Sequence, residues 1–202
     1  TANEPIVWGL DVARFGGDNS ALCVRQGNTV LEIKSFASMD LMQLCGVVKN
    51  RYDDSTVMEQ PQEILVDVIG LGAGVVDRLR EQNLPVRGVN VAEAPSTKKN
   101  YLNLRAELWF AIKDWLAQRD CRLPNDDELV SELAAPLYKY TSTGKIKIES
   151  KDEMRKRGIK SPDKADALAL TMASSAASFS GSESYFGYNF KKPLKSRIIR
   201  VG

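Results

Sequence analysis

The chain has 202 residues, 43% of them hydrophobic, with 28 Lys and Arg against 26 Asp and Glu for a net charge of +2; that is enough apolar material for one core and one domain with at most a tail. It contains no histidine, which excludes Ser-His-Asp and Cys-His hydrolases, histidine-ligated zinc and any histidine general base. Cys23, Cys45 and Cys121 are scattered and odd in number, which fits a reducing compartment better than a disulfide framework.

Ile6 to Leu10 reads as a first strand that ends at Asp11, Gly16-Gly17 as a turn, and Ala21 to Val24 as a second strand. Gln26-Gly-Asn-Thr turns the chain into a third strand, Thr29 to Phe36, so three antiparallel strands open the domain. Asp40 is placed to cap a helix carrying Leu41, Leu44, Val47, Val48 and Tyr52 at helical spacing. Glu63 to Gly70 is a fourth strand running into the glycines of Gly70-Leu-Gly-Ala-Gly. A helix from about Val75 to Gln82 and a fifth strand, Pro85 to Val91, imply a parallel crossover.

Ala94 to Asn100 is a polar loop. Leu102 to Gln118 is the longest amphipathic helix, and a short acid-led helix runs on to Leu133. Leu137 to Tyr140 and Lys145 to Glu149 flank Thr141-Ser-Thr-Gly as a β-hairpin. Ser161 is an N-cap candidate for the last helix, with Pro162 in its first helical position. The whole is α/β, a central mixed sheet flanked by helices with an added hairpin. Residues 1–180 form the domain, and 181–202 a basic tail expected to be flexible. No apolar run reaches membrane-spanning length, no signal peptide opens the chain, and no Gly-x-x-x-x-Gly-Lys-Ser/Thr loop occurs. The start at Thr1 reads as a piece of something longer.

Basic residues gather between Lys151 and Lys164 and again after Glu183. Such stretches point to a polyanion, although a solvated surface accounts for them equally well. Acids recur at element ends: Asp11 after the first strand, Asp67 at the end of the fourth, Asp163 and Asp166 in the first turn of the last helix. Each alone has an ordinary reading as a turn, cap or dipole acid. If the first and fourth strands are neighbours, Asp11 and Asp67 share one sheet edge, where ligands collect in α/β folds. Carboxylates so close call for a cation, and magnesium suits an all-oxygen site. Two ions about 4 Å apart can activate a water and stabilise the leaving oxygen of a phosphodiester without any histidine.

Gly9-Leu-Asp-Val-Ala-Arg-Phe-Gly-Gly-Asp-Asn-Ser-Ala resembles the opening of the C-terminal nuclease domain of tailed-bacteriophage large terminase subunits. Ser150 to Leu170, with its Ser-Pro-Asp-Lys-Ala-Asp-Ala-Leu-Ala-Leu, resembles that family's closing motif, and Asn103-Leu-Arg-Ala-Glu-Leu-Trp fits the pattern. The likeness spans about residues 5 to 175. It implies a ribonuclease H-like fold with a five-stranded sheet and an endonuclease dependent on Mg2+ or Mn2+ (one or two ions) that cuts concatemeric double-stranded DNA. Asp11, Asp67 and Asp163 match the catalytic metal ligands, with Asp166 and Asp18 in lesser roles. The resemblance further implies an ATPase domain on the same longer chain, a small terminase subunit and a portal as partners, no membrane, and a place in the host-cell cytoplasm at the packaging machinery. Lys98, Lys99, Arg105, Lys145, Lys147, Arg155, Lys156 and Arg157 are the candidates for holding DNA phosphates. Two rival readings stay open: an actin- or sugar-kinase-like ATPase whose second phosphate loop would be Asp67 to Gly72, and a non-catalytic module that docks DNA or a portal.

Overall fold

The computed structural model describes residues 4–13, 18–95 and 100–175. The Gly16-Gly17 turn, Lys98, Lys99 and the proposed tail with its boundary at residue 180 lie outside them.

Three antiparallel strands, β1 (Ile6–Asp11), β2 (Ser20–Gln26) and β3 (Thr29–Phe36), open the fold as the alternation predicts. Helix α1 (Leu41–Asp54) follows, with Asp40 and Gln43 forming a reciprocal capping box. Strand β4 (Glu63–Asp67), helix α2 (Gly72–Glu81) and strand β5 (Val86–Val89) make the parallel crossover. The sheet order is β3-β2-β1-β4-β5, antiparallel through β1 and parallel beyond it. Then come α3 (Leu104–Ala117), α4 (Asp127–Ala134), the two-stranded hairpin β6 (Tyr138–Tyr140) with β7 (Ile146–Ile148), α5 (Lys151–Lys156) and α6 (Asp163–Thr171).

Side chains alternate across the sheet and so build two cores. Trp8, Leu10, Leu22, Val24, Ile64 and Val66 face α1 and α2, against Leu44, Val48, Val75 and Leu79. Ala21 and Cys23 face the other side, against Trp109, Trp115 and Leu168 of α3 and α6. Helix α6 lies so close to the sheet that a Cβ on Gly9 would stand 2.0 Å from the Ala167 carbonyl oxygen. Glycine at position 9 and the alanines of α6 are what permit that approach, and it brings the first turn of α6 to the end of β1.

Three local differences from expectation have physical causes. Helix α2 begins at Gly72, not near Val75, because its first turn tucks onto the end of β4. A Cβ on Gly72 would meet the Asp67 carbonyl oxygen at 1.6 Å. Helix α6 begins one residue later than expected: Pro162 stands at the N-cap, and the buried Ser161 hydroxyl makes no hydrogen bond. Helix α5 fills what the basic run alone suggests is surface chain, nucleated by a capping box between Ser150 and Glu153. Among the described residues no helix is long and apolar enough to cross a membrane.

Candidate metal centre

The parallel pairing of β1 and β4 sets Leu10 opposite Val66. The residues that follow, Asp11 and Asp67, therefore leave the sheet at the same edge. Both line a cleft of about 280 Å3 together with Asp166. Asp163 stands one turn before Asp166 at the start of α6. The acids predicted from strand and helix ends thus gather in one region.

At their centre is a residue that the charge pattern groups with the surface basics. Lys151, the first residue of α5, places its Nζ 2.8 Å from Asp11 Oδ2, 3.2 Å from Asp163 Oδ1 and 3.5 Å from Asp166 Oδ2. Burial works to lower this ammonium's pKa, but the three carboxylates outweigh it and hold the proton on above the ordinary lysine range. A signal for it is present in the sequence: Ser150-Lys-Asp-Glu is a capping box, and a helix beginning there turns its first side chain back toward the preceding chain.

The four acids are held differently. Asp166 accepts from Arg105 Nη2 at 3.0 Å and Trp109 Nε1 at 2.8 Å, two α3 residues four apart on one helix face. Burial alone would raise its pKa, but Arg105, Lys151 and Trp109 hold it below the usual carboxylate range. Asp163 Oδ2 accepts from the Asn19 amide at 2.9 Å. Asp67 turns one oxygen onto the Ile69 amide at 3.0 Å and is raised chiefly by burial. Asp11, only 4% exposed, takes the strongest burial effect, offset in part by Lys151, and rises to about 7. Four carboxylates thus face two cations, Arg105 and Lys151, and Asp11 is the acid on which burial most favours a proton over the charge.

This donor set fits a hard divalent cation. Every group is an oxygen, the carboxylates outnumber their cations, and a positive centre already sits within hydrogen-bond reach of two of the acids and within 3.5 Å of the third. Among the described residues no three acidic side chains already converge as a finished ligand set. An ion would therefore take the place of the Lys151 ammonium and draw the acids toward itself.

The remaining candidates lie around this centre. Asp18 is paired with Arg155 at 2.5 Å, and the next residue, Asn19, donates its amide to Asp163. Arg105 is turned inward, on Asp166 and the Glu149 carbonyl oxygen. Lys147 lines the same cleft and reaches Glu153 at 3.1 Å. Lys145 begins the returning side of the hairpin, where its amide donates to Thr141 Oγ1. Arg157 is bound to Glu149, while Arg155 and Lys156 lie exposed on α5. Trp109 is marked in the sequence only as the last residue of the Asn103-to-Trp109 motif, and nothing in the sequence singles out Glu132. Glu132, on α4, accepts from the Ala165 amide at 2.9 Å, and burial raises it to about 7 against that bond.

Asp11 and Glu132 make a pH dependence testable. Each keeps in the fold a proton that the unfolded chain has released, so the stability they contribute is complete below about pH 4 and is lost as pH rises through about 7. The metal-free chain should therefore lose about 2–4 kcal/mol, on the order of 5–10 °C in melting temperature, between pH 5 and 7.5. Manganese should restore much of this at pH 7.5 by replacing the proton on Asp11. Thermal melts in chelator and in Mn2+ check this; a metal-free melting temperature that is flat or rising over that range contradicts it.

No protein-family model matches the sequence, and no curated protein matches it. Solved structures do. The chain is similar to the nuclease domain of the large terminase subunit gp2 of bacterial virus Sf6, at 22% identity over 86% of this chain and 90% of that one, TM-score 0.75. It is also similar to the large terminase nuclease from thermophilic phage G20c with bound magnesium, at 16% identity over 84% and 81%, TM-score 0.64. The Thermus phage P74-26 large terminase nuclease domain aligns at 15% identity over 92% and 85%, TM-score 0.64. The Sf6 domain has also been solved with manganese. The fold is that of phage large-terminase nuclease domains, ribonuclease H-like, as the motif resemblance implied.

Proposed function

We propose that this chain, with the fold of a terminase nuclease domain, is a divalent-metal-dependent endonuclease that hydrolyses phosphodiester bonds of concatemeric double-stranded viral DNA during packaging. The observation that carries the reading is the gathering of Asp11, Asp163 and Asp166 about one cation, with Asp67 in the same cleft. Neighbours of the same fold solved with manganese and magnesium support divalent-ion use.

In this reading Asp11, Asp67 and Asp163 hold Mg2+ or Mn2+. One or two ions held there would supply Lewis-acid activation of a water and charge stabilisation for the leaving oxygen. Asp166 is a support, because Arg105 and Trp109 fix its oxygens. Lys151 keeps the acids together before an ion enters. Lys147, which lines the cleft, holds backbone phosphates together with Lys145, Arg155, Lys156 and Arg157. Those contacts position a duplex without reading its sequence. Lys98 and Lys99 join them in the proposal. Binding should then weaken steeply with salt. An ATPase domain on the same longer chain, a small terminase subunit and a portal are the partners, in the host-cell cytoplasm.

Supercoiled plasmid incubated with the purified chain tests the reading. Nicked and linear forms should appear with Mn2+ and vanish with chelator. Intact plasmid across millimolar Mn2+ and Mg2+, from a chain with a cooperative melt, would favour a docking module.

A further inference from the structure

The first turn of α6 has no cap of its own. Pro162 at the N-cap offers no side-chain acceptor, and the hydroxyl of Ser161 is buried without a partner. The missing acceptor comes from another helix. Glu132, in the last turn of α4, accepts from the Ala165 amide at 2.9 Å across 33 residues of sequence. The same helix grips the same turn a second time. Lys164 Nζ, its side chain only 11% exposed, lies 2.7 Å from Asp126 Oδ2 and 2.7 Å from Glu128 Oε2. Asp126 is itself the N-cap of α4, accepting from the Leu129 amide at 2.9 Å. The starts of the two helices are therefore tied together, and the tied turn carries both Asp163 and Asp166.

We propose that Glu132 is a positioning residue of the nuclease site: its carboxylate, by capping α6 from α4, sets where Asp163 and Asp166 stand. The proposal rests on the nuclease reading above. Ligand carboxylates must be held to about half an ångström, and supporting groups that orient them change metal affinity or activity by about 10–100-fold when removed. A side chain that only stabilised the fold would lower the melting temperature without altering ion affinity or turnover of the folded fraction.

Three variants separate the bond from the charge. Glu132→Gln keeps a full-length oxygen acceptor and loses the charge. Glu132→Asp keeps the charge and falls one methylene short. Glu132→Ala loses both. Each is measured for Mn2+ affinity by calorimetry, for kcat and KM on plasmid, and for hydrogen-exchange protection of the Ala165 amide. The expected result is near-wild-type behaviour for the glutamine variant. The aspartate and alanine variants should bind Mn2+ about tenfold more weakly, with kcat down about 10–100-fold at unchanged KM and protection of Ala165 lost. The aspartate variant keeps the test decisive should the alanine variant fold poorly. An aspartate variant with wild-type Mn2+ affinity and kcat, or a glutamine variant as impaired as alanine, overturns the proposal alone. A wild-type chain that neither binds Mn2+ nor nicks plasmid overturns the nuclease reading and the proposal with it.

Discussion

Asp11→Asn should cut metal-dependent plasmid cleavage by about a hundred- to a thousandfold, while the metal-free protein melts at an equal or higher temperature. The two effects have one cause. Asp11 is almost wholly buried, and burial raises its carboxyl to about 7. Near neutral pH the fold therefore bears the cost of a desolvated charge, or of a proton taken up to avoid it. An amide of the same shape carries no such cost, and its oxygen still accepts from the Lys151 ammonium 2.8 Å away. A neutral amide is a poor ligand for a hard divalent ion, and loss of one electrostatic stabiliser commonly costs about 10²–10³ in rate. Nicking assays beside thermal melts check both halves. Cleavage within tenfold of wild type would remove Asp11 from the site, and a clearly lowered melting temperature would contradict the account of its burial.

Lys151→Ala should act in the opposite direction on the ion. In the proposed reading the ion takes the place of the ammonium, so removal of the lysine ends the competition, and Mn2+ affinity should rise by about tenfold or more. The metal-free variant should also be destabilised by about 3 kcal/mol, because one partner of a buried charge cluster has gone and the acids repel. Manganese should return most of that stability, since the ion replaces the missing charge. Calorimetric titration with and without Lys151 decides the matter. Unchanged affinity would mean that Lys151 and the ion occupy different places.

Much of this arrangement is legible in the amino-acid sequence alone, because it rests on short-range rules. The opening strands announce themselves by alternation, and α1 by an Asp40 cap ahead of a helical apolar stripe. Asp11 and Asp67 stand out because an acid at the end of an apolar strand is a costly placement, and because neighbouring parallel strands end together. What stays hidden depends on facing surfaces. That Arg105 and Trp109 turn onto Asp166 follows from the packing of α3 on α6, which no local pattern states. The reach of Glu132 to the Ala165 amide links helices across 33 residues of chain. Lys151 lies between these cases. Its helix is spelled out by the Ser150–Glu153 box, but a lysine inside a basic run looks like every other surface lysine until the acids are seen around it. Charge counted along the chain points to a polyanion, whereas this one charge serves the protein's own carboxylates.

The central claim is that a divalent ion takes the place of the Lys151 ammonium among the acids, and a crystal soaked in Mn2+ tests it most directly through anomalous density. The account predicts a peak bonded at about 2.1 Å to carboxylate oxygens of Asp11 and Asp163, with Lys151 Nζ moved out of reach of both. A peak only at surface acids, with Lys151 still bonded to Asp11, would contradict it.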